Sequence, residues 1–206
     1  MERQNRERQK MKLFNLWDTS QVTVSDPGLK DYIALTPQIV PRTGGRYAKQ
    51  KFYKNKYTVI ERLINHMMVP GHKGKKHHIT SGQCGGKSHT AFNIVESTLK
   101  LIEARTKQNP VGVFVKAIEN AAPRDEITTI EYGGARYPQS VDCSPSRRID
   151  LAIRMMVQGA YAKSFGKKVK MKEALTEEII LAFNLDQKSN AVSKKLELER
   201  MSDAAR

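Results

Sequence analysis

Cysteine is nearly absent from this 206-residue chain, with Cys84 and Cys143 its only two, far apart in sequence. That spacing fits neither a disulfide-dense secreted framework nor a paired-cysteine metal motif, so free thiols in a reducing compartment are expected. Long hydrophobic runs are missing as well. No window approaches the ~20 apolar residues of a spanning helix, and the opening MERQNRERQKMKLFNLW has no apolar signal segment, so no membrane partner is expected and a cytoplasmic location is. Catalytic signatures are also lacking: there is no Walker loop, no H-E-x-x-H and no G-x-S-x-G. The adjacent acids Asp125 with Glu126, and Glu177 with Glu178, point in different directions on any regular element and read as surface charge. Neither an enzyme nor a cofactor is expected. No repeat of 20 to 50 residues suggests a solenoid.

Acidic residues are what the front half lacks most. Between Arg42 and Lys87 there are eleven Lys or Arg and one acid, Glu61, and the whole chain carries a formal charge of +15. Such an excess repels itself unless a polyanion lies close, so nucleic acid is the expected partner. A nucleic-acid-processing enzyme would need clustered acids to hold metal, which this stretch does not offer.

The pattern of the chain divides it into a basic N-terminal extension, residues 1–56, and a helical body, residues 57–206. Pro27, Pro37, Pro41, Gly28, Gly44 and Gly45 break the extension into short apolar pieces, predicting turns and extended segments that order best against a partner surface. Helical periodicity begins near residue 58, where Thr58 and Glu61 have capping-box spacing, and runs to about 69. The basic, glycine-rich GHKGKKHHITSGQCGGK follows as an exposed loop. Further helices are predicted at about 88–107, from Pro110 (capped by Asn109) to before Pro123, from Pro145 (capped by Ser144) through Ala160, at 171–184 and at about 190–202. Between the third and fourth, EITTIEY, Gly133-Gly134 and ARYPQSVD change the period to two and predict a β-hairpin at about 126–143. The expected fold is mainly α: about six helices, a protruding two-stranded arm and an irregular extension.

Arg42, Arg46, Lys49, Lys51, Lys54 and Lys56 are spaced to line a strand of phosphate backbone. Tyr47, Phe52, Tyr53 and Tyr57 interleave them and either stack on unpaired bases or seal the body. Lys73, Lys75, Lys76 and Lys87 flank loop glycines that let backbone amides approach phosphate, the alternative being a plain flexible linker. His72, His77, His78 and Cys84 in the same region lack the paired spacing of structural zinc sites, so no metal is expected. Arg147 and Arg148 occupy the first turn of the fourth body helix, where cations oppose the helix dipole unless phosphate is near; the alternative is pairing with Asp142 or Asp150. Arg154 on the same helix joins them as a candidate RNA contact. At the hairpin tip, Gly133, Gly134, Arg136 and Tyr137 present a cation and an aromatic on a ribbon about 20 Å long.

NPVGVFVKAIENAAPRDEITTIEYGGARYPQSVDCSPSRRIDLAI, GGKSHTAFNIV and the closing SNAVSKKLELERMSDAAR resemble the small-subunit ribosomal protein seven family. WDTSQVTVSDPGLKDYIALTPQIVPRTGGRYAKQKF is similar to the extension of its archaeal and eukaryotic form. The histidine-rich loop is longer than the family pattern. The resemblance implies a structural protein that binds the 3′ major domain of small-subunit ribosomal RNA, nucleates assembly of the head and touches neighbouring head proteins. It also implies that the hairpin and the C-terminus, including Arg206, face messenger RNA and exit-site transfer RNA. The competing reading is an architectural DNA-binding protein with a β-arm, which would carry several cations and an apolar wedge at the arm's tip.

Overall fold

The computed structural model describes residues 11–69 and 86–206. Among these residues the helices are α1 (Pro27–Lys30), α2 (Val59–Met67), α3 (Ser88–Thr106), α4 (Pro110–Ala121), α5 (Pro145–Ser164), α6 (Met171–Phe183) and α7 (Asn190–Ala204). A single hairpin, β1 (Asp125–Tyr132) and β2 (Ala135–Asp142), stands between α4 and α5. The fold is mainly α with a two-stranded arm, as expected. The helix beyond the expected six is the four-residue α1, inside the segment read as irregular.

Local chemistry sets the ends of these helices. Asn109 caps α4 by accepting from Val111 N at 3.1 Å, and Pro110 supplies a first-turn residue with no amide to satisfy. Thr58 Oγ1 accepts from Glu61 N at 3.4 Å, but the Glu61 carboxylate does not return to Thr58, so only half of the expected capping box forms. Ser144 occupies the N-cap of α5 without a side-chain capping bond, and Pro145 alone marks that start.

Apolar faces of all six longer helices meet in one cluster that includes Leu63, Leu99, Phe114, Ile118, Ile153 and Ile179. Each such side chain contributes roughly 1.5–3 kcal/mol when fully buried. Close approach of α5, α6 and the start of α7 requires a residue without a side chain. A Cβ on Gly159 would lie 2.8 Å from Glu178 Cδ and 2.8 Å from Asn190 Cβ. Glu178 is fully buried there, accepting from Ser189 Oγ at 2.8 Å and pairing with Lys163 at 3.2 Å. The expectation that Glu178 is surface charge is therefore wrong: neighbouring positions on a helix point apart, which sends Glu177 outward and Glu178 inward.

The front of the chain is strapped across the body. Leu13, Phe14, Trp17, Leu29 and Ile33 belong to the same core cluster as the helices. Trp17 Nε1 donates to Glu103 Oε2 at 2.9 Å, Asn109 Nδ2 to Asp18 O at 2.6 Å, and Asp26 N to Glu119 Oε1 at 3.2 Å. The segment thus finds its ordering surface on α3 and α4 of its own chain.

In the arm, Tyr132 pairs with Ala135 across Gly133 (φ 58°) and Gly134 (φ 81°). Two left-handed residues in a row make the tight turn that matches strand twist, and glycine adopts them without a Cβ clash. The arm's base docks on α7, where the Ser140 and Ser202 hydroxyls hydrogen-bond and Arg124 N donates to Glu199 Oε1 at 3.1 Å. From Thr128 to Gln139 every residue is exposed, so the distal part projects from the body.

Candidate nucleic-acid interface

The stretch from Arg42 to Tyr57 folds over α2 as successive turns, and its anchor is the lone acid of the basic region. Glu61 is buried, and its Oε1 accepts from Thr43 N at 2.8 Å and from Thr43 Oγ1 at 2.7 Å. The neighbouring cation is buried too. Arg62 Nη2 lies 2.7 Å from Asp150 Oδ1, and Nη1 donates to Tyr32 O at 3.3 Å. One acid and one base are thereby withdrawn from the surface together, and the exposed face keeps its cationic excess.

Sequence counting could not rank the six candidates on this stretch, but their positions do. Arg42, Arg46, Lys49 and Lys51 are exposed and make no ion pair among the described residues. Lys56 is exposed with its ammonium on Gln50 Oε1. Lys54 points the other way, to Asp150 Oδ2 at 3.1 Å. Asp150 is thus the anchor for Lys54, Arg62 and, at 3.6 Å, His66. Burial would raise its carboxyl pKa, but hydrogen bonds from His66, Arg62 and Lys54 prevail and hold it well below the usual carboxylate range.

The interleaved aromatics divide between the two roles left open for them. Tyr57 is buried, and Tyr53 packs on it with ring centroids 6.2 Å apart. Phe52 is 77 % exposed and sits at φ 54°, a left-handed conformation unusual for a side chain of that size. Tyr47 is half-buried and lines a cavity between this segment and the helices.

Elsewhere the candidates scatter. Lys87 is exposed at the N-cap of α3, whereas Lys73, Lys75, Lys76, His72, His77, His78 and Cys84 lie outside the described residues. Arg147 and Arg148 do pair with acids, but with neither Asp142 nor Asp150. Arg147 Nη2 donates to Glu126 Oε2 at 2.7 Å, which raises the guanidinium pKa further, and Arg147 stays exposed. Arg148 binds Asp26 Oδ2 at 2.9 Å and Pro123 O at 3.0 Å, fastening the front strap to α5. Arg154 is exposed on α5 and makes no ion pair among the described residues.

Gly133, Gly134, Arg136 and Tyr137 come together at the arm's far end, with Arg136 3.6 Å from Glu131. Tyr132, 82 % exposed, adds a second aromatic that the sequence pattern did not single out. Its position beside the two glycines was the available signal. Arg206 is not at that end: it pairs with Asp125 Oδ2 at 2.6 Å, at the arm's base. A second patch was missed altogether, the exposed Lys167, Lys168 and Lys170 between α5 and α6. Among the described residues no three His, Cys, Asp or Glu are grouped to hold a metal ion, and no helix is long and apolar enough to cross a membrane.

Comparison with known proteins adds a lineage to this geometry. The profile of the family described as "Ribosomal protein S7p/S5e" matches residues 29–206. The chain is also 57% identical over 197 residues to the small ribosomal subunit protein uS7 of Nanoarchaeum equitans (strain Kin4-M), spanning 96% of this chain and 100% of that protein.

Proposed function

The chain belongs to the ribosomal protein S7p/S5e family, and from that premise we propose that it binds small-subunit ribosomal RNA through the turns between Arg42 and Lys56. It is a structural, non-enzymatic constituent of the small ribosomal subunit. The observation that carries the RNA reading is the separation of charges on that stretch. Glu61 and Arg62 are buried and satisfy protein atoms, while Arg42, Arg46, Lys49 and Lys51 stand exposed and unpaired among the described residues. Cations held on a fixed scaffold displace counterions from phosphate without first breaking a salt bridge. Lys56, Lys87, Arg147 and Arg154 extend the contact as exposed cations, and Lys73, Lys75 and Lys76, which lie outside the described residues, belong to the same proposed RNA contact. Lys54 and Arg148 serve it indirectly, by fixing the scaffold.

The RNA bound is the 3′ major domain, whose folding the protein nucleates as the subunit head assembles in the cytoplasm beside neighbouring head proteins. The arm, with Arg136, Tyr137 and the Gly133-Gly134 turn, reaches toward messenger RNA and exit-site transfer RNA. Arg206 braces its base.

The test is direct. The purified chain should hold a transcript of the 3′ major domain at moderate salt and co-sediment with small subunits on a sucrose gradient. No affinity for that transcript, or a profile that follows the nucleoid, would overturn the proposal.

A further inference from the structure

A cavity of about 530 Å³ opens between the Arg42–Tyr57 turns and the helices α2 and α3, within the roughly 300–1,000 Å³ range of small-ligand sites. Its lining includes Arg42, Tyr47, Glu61, Asn65, His89 and Phe92. Glu61 is only 4 % exposed. Its Oε1 is fully engaged by Thr43, but its Oε2 is buried without a hydrogen-bond partner among the described residues. An unmet buried carboxylate oxygen costs more than an unmet neutral acceptor, so the fold tolerates it where something else supplies the donor.

The surroundings narrow what that donor is. Tyr47, Tyr53, Tyr57 and Phe92 offer flat ring surfaces, which suit an aromatic heterocycle. Arg42 at the lining, and Arg46 and Lys49 just along the chain, suit a phosphate outside it. A nucleotide base entering from a bound strand meets both conditions, since unpaired RNA bases are recognised by stacking and by their Watson–Crick edges. The carboxylate then discriminates between bases. Adenine and cytosine present an amine beside a ring-nitrogen lone pair, and uracil an N–H between two carbonyl oxygens; each sets an acceptor against Oε2. Guanine alone presents two adjacent donors, N1–H and N2–H, with no acceptor between them.

We propose that this cavity takes one unstacked guanine from a bound RNA strand, with Glu61 Oε2 receiving its N1–H and N2–H donors between the aromatic walls. The assignment deepens the RNA-binding reading and rests on it. Thr43 then has a second role: by occupying Oε1 it leaves Oε2 as the carboxylate oxygen still lacking a donor among the described residues.

The experiment uses the full chain and short oligouridylates carrying one central guanosine, adenosine, cytidine or N1-methylguanosine, with affinity read by fluorescence anisotropy. The guanosine oligomer should bind about tenfold tighter than the adenosine one, the size of one good base-edge contact. Methylation at N1 should abolish the preference, and this arm needs no change to the protein, so a folding defect cannot imitate it. Glu61→Gln keeps an acceptor for Thr43 and should level the affinities in the same way. Equal affinities for all four oligomers, or a guanosine preference that survives both N1-methylation and Glu61→Gln, would overturn the pocket while leaving RNA binding standing. Loss of all binding, the 3′ major domain transcript included, would overturn both.

Discussion

Two residues show how polar burial and backbone strain are spent. Arg62 is 2 % exposed, and Asp150 is its carboxylate partner. Removing the acid leaves a buried guanidinium uncompensated, so Asp150→Ala should cost roughly 3–5 kcal/mol, read as a lowered urea midpoint at pH 7. Asp150 also contributes a pH dependence. Its folded pKa lies below its unfolded value, so its contribution is complete above about pH 5 and fades as pH falls through the unfolded value toward the folded one. The stability gap between wild type and Asp150→Asn should therefore narrow from pH 5 toward acid; a gap that stays constant would show that the carboxylate is not the source. Phe52 presents the opposite case, a side chain held exposed at φ 54°. Phe52→Gly relieves about 1–2 kcal/mol of left-handed strain, less about 0.5–1 kcal/mol for the freer unfolded chain, so stability should hold or rise slightly. If the ring stacks on a base, RNA affinity should fall by about 1–3 kcal/mol, so binding and stability move apart. Unchanged affinity would remove Phe52 from the interface.

Whether an element was legible beforehand depended on whether its causes are local. Asn109-Pro110, Ser189 and Gly133-Gly134 set their boundaries through neighbours within three residues, and α4, α7 and the hairpin lie where the pattern puts them. The strap of residues 13–33 could not be placed, because it is fixed by partners such as Glu103, Glu119 and Arg148, far along the chain. The same reason hid the inward turn of Glu178, the diversion of Lys54 to Asp150 and the choice of Asp26 as the partner of Arg148: a cation's spacing is visible in sequence, its partner is not. Phe52 carries no sequence mark of its backbone conformation, whereas the arm's glycines do. The junction of α5 with α6 and α7 is another long-range feature and gives an element-scale prediction. Gly159→Ala drives a methyl into Glu178 Cδ and the Asn190 side chain, both at 2.8 Å. It should lower unfolding free energy by roughly 1–3 kcal/mol, despite alanine's better helix propensity. A stabilised Gly159→Ala protein would mean that the helices part easily there.

Across the whole molecule, the +15 charge is not one undifferentiated field. Lys54, Arg62 and Arg148 fasten the front strap and the basic turns to α5. Arg42, Arg46, Lys49 and Lys51 stand on the scaffold so fixed, without ion pairs among the described residues. The two groups should separate in a single experiment, the salt dependence of affinity for the 3′ major domain transcript. Each neutralised phosphate adds about 0.7 to 0.9 to the slope of log affinity against log salt. Replacing Arg46, Lys49 and Lys51 together by alanine should flatten that slope by the same increment for every phosphate set free, and leave the urea midpoint near wild type. Lys54→Ala should do the reverse, lowering the midpoint because Asp150 is deprived of a partner, with little change in slope. A triple variant with an unaltered slope would take the basic turns out of the RNA interface, and Lys54→Ala with a flattened slope would put that ammonium on phosphate rather than on Asp150.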